Sequence, residues 1–335
     1  MAAIVEVYVD PSIDANSGAG TSGDPYGDLQ YALDTEAAVT NRRFRIKPGT
    51  AEVLSAALTG ISGTSYNHPC MFVGDGGAAE IDCNGFTLFG TSSLQGIVLA
   101  ELNMHGSGSA DVVEIGQYSS AVNCEVHDSS GDGIVLSQGR SIAIGNNVHD
   151  IGGIGIKSPG GGLIAYNYLK DGTKTFTKGI YTVGGSGIDI NNNIVSVSGS
   201  AVGIHCEGYH STVISNSVLS SAGTGKGIVF DGSYYMSSVV ANNLVEGFSG
   251  TGGVGIALTR SQNQSGAAYG NNACYDNATD YDINASVSYG LELGDNESLS
   301  ASPFAKSGSD TFANRLTYFA PVDTGNVHGG AYGQN

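Results

Sequence analysis

The chain has few basic residues and no apolar run long enough to cross a membrane. Lysine and arginine together number 13 of 335 residues, against 31 acidic residues, which gives a formal net charge of −18. This balance argues against docking to nucleic acid, to an anionic bilayer or to a polyanionic glycan, unless a local basic patch overrides it. The sequence therefore predicts no nucleic-acid partner and no membrane partner.

Signals for export and for cofactor binding are also missing. The opening segment, MAAIVEVY, has neither a positive n-region nor an apolar core of signal-peptide length. The five cysteines are an odd number and lack metal-ligand spacing. Both features favour reduced, buried thiols in a protein made in a cytoplasm. No cofactor is predicted, because the chain has no phosphate loop, nucleophile elbow or zinc cluster.

Glycine, by contrast, is abundant at 52 residues, and part of it belongs to a repeat. Six Gly-Ile pairs form a spaced series, from Gly133-Ile134 to Gly255-Ile256, at steps of 22, 24, 24, 24 and 28 residues. Two markers in register over many turns predict a repeat fold. The second marker is a series of asparagines in phase with the first: Asn146, Asn167, Asn192, Asn216, Asn242 and Asn272.

The segments between these markers are short and β-branched, and none has the 3.6-residue period of a helix. Three short strands per turn predict an all-β, single-domain right-handed parallel β-helix, which is a solenoid. The asparagines should form an internal ladder in which Asn192, Asn216 and Asn242 are buried and bonded to one another. The glycine before each isoleucine is expected to permit a tight or left-handed bend.

A solenoid needs caps, because its first and last coils otherwise present unpaired strand edges. An amphipathic helix is expected near residues 28–39, within an N-terminal cap and first coil at residues 1–50. Parallel coils are expected over residues 51–290, followed by a C-terminal cap or tail at residues 291–335.

Both ends of the chain resemble known proteins. The opening, VYVDPSIDANSGAGTSGDPYGDLQYALD followed by RFRIKPGT, resembles the right-handed β-helix superfamily that includes polysaccharide lyases and phage tailspikes. The tail, SPFAKSGSDTFANRLTYFAPVDTGNVHGGAY, most resembles β-helix proteins of phage particles. The resemblance implies a virion structural protein on the particle surface, as a capsid decoration, a head fibre or a tail spike or adhesin.

Such a virion protein would be assembled in the host cytoplasm, where it needs no signal peptide and tolerates unpaired cysteines. Its partners would be other virion proteins, further copies of itself and a host surface glycan. Phage β-helix proteins commonly trimerise, so a homotrimer is predicted. Aromatic residues of the tail would be buried by this association: Phe312, Tyr318, Phe319 and Tyr332.

If the Gly-Ile strands stack in register, their outward residues form polar columns. One column would hold Lys157, Tyr181 and His205, and the next would hold Glu207 above Asp231. Two carboxylates on neighbouring coils fit a retaining glycosidase, with His205 as acid or base. Lys157 and Tyr181 could instead neutralise and deprotonate a uronate, as a lyase does. A solvated outer face would show the same pattern, so a carbohydrate-active enzyme acting on bacterial or algal polysaccharide is the alternative function.

Further residues could bind a glycan or a metal. Aromatic side chains suit stacking on sugars or, equally, a subunit interface. The glycan-binding candidates are Tyr181, Tyr209, His210, Tyr234 and Tyr235. Three histidines at steps of 22 residues, His105, His127 and His149, would form an outward ladder that could bind a metal or titrate together. Repetition of the coil sequence explains this ladder without a metal.

Overall fold

The computed structural model describes residues 3–14, 17–36, 39–61, 64–89, 94–184, 187–208, 210–221, 223–231, 238–259, 268–283 and 296–299. The chain divides into two compact units, a first unit of residues 1–158 and a second unit of residues 159–335. Within each unit, short strands recur in three parallel columns, and each strand pairs with its equivalents in the neighbouring coils. This arrangement confirms the predicted parallel solenoid.

The first unit contributes the following strands. Its first column contains β1 (Val5–Val9), β2 (Arg42–Ile46), β4 (Cys70–Gly74), β6 (Ile97–Ala100), β9 (Ser120–Val122) and β12 (Ser141–Ile144). Its second column contains β3 (Glu52–Val53), β5 (Ala79–Asp82), β7 (Leu102–Gly108), β10 (Glu125–Ser129) and β13 (Asn147–Ile151). Its third column contains β8 (Val113–Ile115), β11 (Ile134–Leu136) and β14 (Ile154–Ser158).

The second unit repeats this order. Its first column contains β15 (Gly162–Ala165), β18 (Ile188–Asn191), β21 (Thr212–Ile214), β24 (Val239–Ala241) and β27 (Ala268–Gly270). Its second column contains β16 (Tyr168–Lys170), β19 (Ile194–Val197), β22 (Ser217–Ser220), β25 (Leu244–Glu246), β28 (Ala273–Tyr275) and β30 (Glu297–Ser298). Its third column contains β17 (Lys178–Thr182), β20 (Val202–Cys206), β23 (Lys226–Phe230), β26 (Val254–Leu258) and β29 (Thr279–Ile283).

Inward-facing aliphatic side chains form the core of each unit. In the third column, Ile204 pairs in register with Ile180 on one side and Ile228 on the other, as the Gly-Ile period predicts. Full burial of one such side chain stabilises the fold by about 1.5–3 kcal/mol. The isoleucine is buried in every one of the six Gly-Ile repeats: Ile134, Ile156, Ile180, Ile204, Ile228 and Ile256.

The glycine before each isoleucine has a different role from the one expected. None of the six has a positive φ, so the prediction of a left-handed bend there is wrong. A Cβ atom on Gly203 would overlap Val218 Cγ1 and would lie 2.7 Å from the carbonyl oxygen of Gly227. Glycine is therefore required by the close packing of the third column against the second and against the next coil.

Left-handed bends do occur, one residue before the asparagine ladder. The second unit places five non-glycine residues there with φ between 54° and 58°: Tyr166, Asn192, Ser215, Asn242 and Asn271. The residue after each of them is a buried asparagine: Asn167, Asn193, Asn216, Asn243 and Asn272. The bend thus turns the chain so that the next side chain points inward.

The ladder is real, but two of its predicted members are wrong by one residue. Asn193 Nδ2 donates to Asn216 Oδ1 at 2.9 Å, and Asn216 Nδ2 donates to Asn243 Oδ1 at 3.1 Å. Asn192 and Asn242, which were expected there, form the left-handed bend instead. Asparagine tolerates this conformation better than most residues. At Asn242-Asn243 and Asn271-Asn272 the first asparagine therefore takes the bend and the second enters the ladder.

The predicted N-terminal helix is shorter than expected, because α1 spans Leu29–Thr35. Asp28 Oδ1 accepts a hydrogen bond from the backbone N–H of Tyr31 at 2.6 Å and so caps the start of the helix. The helix ends where Glu36 turns extended and binds the Arg42 side chain at 2.9 Å. Its role as a cap over the coils stays a prediction. No helix in the described part of the chain has the length and hydropathy needed to cross a bilayer.

The five cysteines are unpaired and buried, as expected for reduced thiols. Burial raises the pKa of four of these thiols to about 12: Cys70, Cys83, Cys206 and Cys274. The pKa of the Cys124 thiol is raised to about 11, again chiefly by burial. Such thiols are poorly reactive, because the thiolate is the reactive form.

Most of the predicted C-terminal cap lies outside the described residues, apart from 296–299. The four aromatic residues behind the predicted homotrimer lie there too, so self-association stays a prediction. They are Phe312, Tyr318, Phe319 and Tyr332.

Candidate functional site

The candidate site lies on the outer side of the third column of the second unit. Tyr181 on β17 and His205 on β20 pair in register, and their ring centroids are 5.1 Å apart. Glu207 directly follows β20, and Asp231 directly follows β23. We call these four residues the polar strip. The Gly-Ile period therefore predicted correctly that four of the five catalytic candidates come together.

Each carboxylate of the polar strip has its own hydrogen-bond partner. The Tyr181 hydroxyl donates to Glu207 Oε1 at 2.6 Å, and His205 Nε2 lies 2.6 Å from Asp231 Oδ1. The His205 side chain is 11% exposed, whereas those of Glu207 and Asp231 are 33% and 43% exposed. The ring thus belongs to the packed wall, and the two carboxylates face solvent.

Cations hold Asp231 in its ionised form. The hydrogen bond with His205 is the main cause that lowers the pKa of Asp231, and Lys178 and Lys226 lower it further. Sequence reasoning missed both lysines. Each begins a Lys-Gly-Ile tripeptide, on strands β17 and β23 that flank β20, and this shared tripeptide was the available signal.

Tyr181 is held in its neutral form. Burial is the main cause that raises its pKa, and the hydrogen bond to Glu207 raises it further. Lys178 Nζ lies 3.3 Å from the centre of the Tyr181 ring, which is a cation–π contact. Tyr181 is therefore a hydrogen-bond donor to Glu207 at neutral pH rather than a base.

Lys157, the fifth catalytic candidate, lies on β14 of the first unit. Its Nζ donates to Asp132 Oδ2 at 3.0 Å, and this bond is the main cause that raises the pKa of Lys157. Asp111 and Glu114 lie nearby and act in the same direction. A lysine held as an ammonium ion by carboxylates is poorly suited to act as a base.

Of the other four glycan-binding candidates, His210 alone lies within the described residues. Tyr209, Tyr234 and Tyr235 lie outside the described residues. His210 is exposed and sits at a left-handed bend with φ of 55°. A role for these four residues in stacking on sugars stays a prediction.

The three predicted ladder histidines are stacked in the first unit, on β7, β10 and β13. The ring centroids of His105 and His127 are 4.9 Å apart, as are those of His127 and His149. His127 Nδ1 lies 2.9 Å from Asp128, and its Nε2 lies 2.8 Å from Asn103. His149 likewise has partners at both ring nitrogens, Asp150 and Glu125, so these two rings present a hydrogen-bonded surface rather than open metal ligands.

One group of three side chains in the described part of the chain could hold a metal ion: His205, Glu207 and Asp231, with ligand atoms within 4.8 Å of one another. Metal-binding histidines donate their second ring N–H to an acceptor. His205 Nδ1 is buried and has no hydrogen-bond partner, and the cations Lys178 and Lys226 are close by. The geometry therefore fits two carboxylates that are hydrogen-bonded to Tyr181 and His205 better than it fits a metal site.

His149 gives the first unit a pH-dependent stability. Its hydrogen bond with Glu125 is the main cause that raises its pKa, and Asp150 adds to it. A pKa that is higher in the folded chain stabilises the fold below the unfolded pKa, and this stability is lost as pH rises through the folded pKa. We expect His149→Ala to lower the melting temperature more at about pH 5.5 than at about pH 8.

His127 provides a control of opposite sign. Burial is the main cause that lowers its pKa, so its contribution is present above the unfolded pKa and is lost as pH falls. His127→Ala should therefore lower the melting temperature more at about pH 8 than at about pH 5.5. The same pH trend in both variants would contradict this assignment.

Comparisons with known proteins agree on the fold. A family model described as "Right handed beta helix region" matches residues 111–273. No curated protein matches the chain in sequence. The solved structure of pectate lyase Pel9A is similar with a TM-score of 0.66 and 14% identity, over 100% of this chain and 98% of that one.

Two further structures are similar at lower scores. XylC in complex with xylose has a TM-score of 0.52 and 9% identity, over 91% of this chain and 88% of that one. The Dettilon tailspike protein gp208 has a TM-score of 0.45 and 13% identity, over 88% of this chain and 69% of that one. A score that low carries no argument. At such identities the similarity shows the fold alone.

Proposed function

We propose, since this chain belongs to the right-handed parallel β-helix superfamily, that it is a polysaccharide hydrolase whose reacting groups are Glu207 and Asp231. The observation that carries the proposal is the pair of solvent-facing carboxylates on neighbouring coils, whose oxygen atoms approach within 4.8 Å. The carboxyl groups of retaining glycosidases lie about 5–5.5 Å apart. Two proteins of similar fold, a pectate lyase and a protein with xylose bound, support a carbohydrate substrate but not hydrolysis over elimination.

Each residue of the polar strip has a role in this reaction. The Asp231 carboxylate, kept ionised by His205, attacks the anomeric carbon. The glycosidic C–O bond breaks, and Glu207 gives its proton to the leaving oxygen. Water then attacks the anomeric carbon, loses a proton to Glu207 and frees the Asp231 carboxylate. Tyr181 and His205 are positioning residues, because each holds one carboxylate oxygen at 2.6 Å.

Elimination from a uronate, the lyase chemistry, has less support. It needs a base that removes a proton from carbon. Tyr181 is a poor candidate because its raised pKa makes the phenolate scarce. Lys157 is bonded to Asp132 and remains an ammonium ion. An unsaturated product would show that elimination occurs nevertheless.

Two substitutions test the hydrolase proposal. Glu207→Gln should lower the rate of polysaccharide cleavage by about 10²–10⁴-fold, because a general acid–base group contributes that much. Asp231→Asn should lower it at least as far, because the amide cannot attack the anomeric carbon. Release of reducing ends measures the rate, and the melting temperature should not change. Asp189→Asn, which alters an exposed carboxylate on β18 outside the polar strip, should leave the rate unchanged.

The proposal would be contradicted if the unaltered protein released no reducing ends from a panel of neutral and acidic bacterial and algal polysaccharides. It would equally be contradicted if Asp189→Asn and Asp231→Asn slowed cleavage to the same extent.

A place on the surface of a phage particle stays a second proposal. The observation that favours it is the set of five buried, unpaired cysteines, which suits assembly in a reducing cytoplasm. On a particle, the polar strip would bind or cleave a host surface glycan. The position on capsid or tail, the homotrimer and the virion partners all belong to this proposal.

A further inference from the structure

A second surface of different character lies on the first unit. It consists of Tyr66, Tyr118 and Arg140, which we call the aromatic strip. The ring centroids of Tyr66 and Tyr118 are 5.8 Å apart, and the Arg140 guanidinium carbon is 5.6 Å from the centre of the Tyr118 ring. Arg140 Nη1 also donates to the Tyr118 hydroxyl at 2.7 Å. The three side chains thus form a continuous row.

The coil repeat places two of these residues in equivalent positions. Gly96, Tyr118 and Arg140 follow one another at steps of 22 residues. Gly96 and Arg140 directly precede the first-column strands β6 and β12, and Tyr118 lies two residues before the first residue of β9. All three have left-handed backbones, with φ of 66°, 59° and 65°. The residues after Tyr118 and Arg140 are the buried serines Ser119 and Ser141. This bend therefore turns its own side chain away from the core.

In the coil that contains Gly96, the turn of Tyr66 supplies the side chain of the aromatic strip. Ser65 and His68 exchange backbone hydrogen bonds at 3.1 and 3.0 Å, which closes a tight turn with Tyr66 at its tip. A Cβ atom on Gly96 would overlap the carbonyl oxygen of Ser65. Glycine at this position thus leaves room for the turn, and the turn supplies Tyr66 in place of a side chain at residue 96.

The aromatic strip combines a highly exposed aromatic ring with an arginine that has no carboxylate partner among the described residues. Tyr66 is 74% exposed. The described arginines of β2 each bind a carboxylate: Arg42, Arg43 and Arg45. Arg140 forms no ion pair with any described residue, although the chain carries a net charge of −18. Its bond to Tyr118 uses one of the five N–H donors of a guanidinium group.

We propose that the aromatic strip binds a pyranose ring that carries an anionic group such as a carboxylate. The tyrosine rings offer flat apolar surfaces to the sugar ring, and the Arg140 fork fits a carboxylate with two parallel hydrogen bonds. The net charge of the chain repels a polyanion, so the ligand is a largely neutral glycan with isolated acidic sugars. This site does not depend on the proposed hydrolase, because it uses other residues in another unit.

Calorimetric titration with two matched sugars tests the site. The probes are a trisaccharide that ends in glucuronate and its methyl ester, which is the same molecule without the charge. The acid should bind about tenfold or more tightly than the ester, because a hydrogen bond to a charged group is stronger than one to a neutral ester oxygen. Arg140→Gln should remove this preference, and Tyr66→Ala should weaken the binding of both probes.

Tyr166→Ala is the matched control, because Tyr166 is a 55% exposed tyrosine at a left-handed bend of the second unit. It should leave the binding of both probes unchanged. Equal affinity for acid and ester, no binding by the unaltered protein, or unchanged binding in Arg140→Gln would each overturn the proposal. Unchanged melting temperatures of the variants would confirm that they are folded.

Discussion

Replacement of Asn216 by leucine should lower the free energy of unfolding by about 3–5 kcal/mol. Asn216 Oδ1 accepts hydrogen bonds from the backbone N–H of Asn193 at 3.0 Å and from Asn193 Nδ2 at 2.9 Å. Its Nδ2 donates to the Ile190 carbonyl oxygen at 3.0 Å and to Asn243 Oδ1 at 3.1 Å. Leucine has a similar size but makes none of these hydrogen bonds, each of which contributes about 0.5–1.5 kcal/mol. The buried N–H of Asn193 loses its partner at a further cost of about 1–3 kcal/mol, whereas Asn193 Nδ2 keeps the Ile164 carbonyl oxygen. Denaturant unfolding measures the loss.

Neighbouring asparagines provide a control for the register of the ladder. Asn193→Leu should be as damaging as Asn216→Leu, because Asn193 occupies the equivalent buried position. Asn192→Gly should change the free energy of unfolding by less than about 1 kcal/mol, because glycine adopts the left-handed conformation of that residue without strain. If Asn192→Gly were instead the more damaging variant, the ladder would have the register expected from the sequence pattern.

Replacement of Gly203 by alanine should lower the free energy of unfolding by about 1–3 kcal/mol, the usual cost of overpacking. The added methyl group would overlap Val218 Cγ1 and approach the backbone carbonyl of Gly227 to 2.7 Å. The second contact is the harder one to relieve, because a backbone atom can move only with its whole strand. Thermal or denaturant unfolding measures this loss.

Two further variants separate the causes. In the double variant Gly203→Ala/Val218→Ala, the shorter side chain at residue 218 relieves the first overlap but leaves the contact with the Gly227 carbonyl oxygen. The double variant should therefore not regain the original stability. Gly23→Ala is the matched control, because nothing lies within 4 Å of a Cβ atom there. Equal losses for Gly23→Ala and Gly203→Ala would contradict the packing role of the repeated glycine.

The sequence predicted the polar strip because its marker keeps a constant step. The Gly-Ile pairs at Gly179, Gly203 and Gly227 are 24 residues apart, whereas Gly187-Ile188 falls outside this step, so the outward positions after the isoleucine could be aligned. Tyr181, His205, Glu207 and Asp231 could therefore be placed side by side without coordinates. Their hydrogen bonds and the pairing of a buried ring with exposed carboxylates depend on side-chain conformation, which no spacing reveals.

Where the marker is ambiguous, the prediction fails by one residue. Residues 191–193 are all asparagine, and the backbone conformation of Asn192 decides which of them points inward. The aromatic strip was missed for another reason. Tyr66 belongs to a turn that reaches Gly96 across the coil, and a repeat search compares only equivalent positions. The length of α1 was overestimated because the pattern does not show that Glu36 leaves the helix to bind Arg42.

The most direct measurement of where a glycan is cleaved is a crystal structure of the Asp231→Asn variant with an oligosaccharide that the unaltered protein hydrolyses. The anomeric carbon of the scissile bond should lie beside residue 231, with the leaving oxygen within hydrogen-bond distance of Glu207. A sugar bound only elsewhere, for example at Tyr66 and Arg140, in a variant that still cleaves it, would contradict the assignment of the polar strip as the active site.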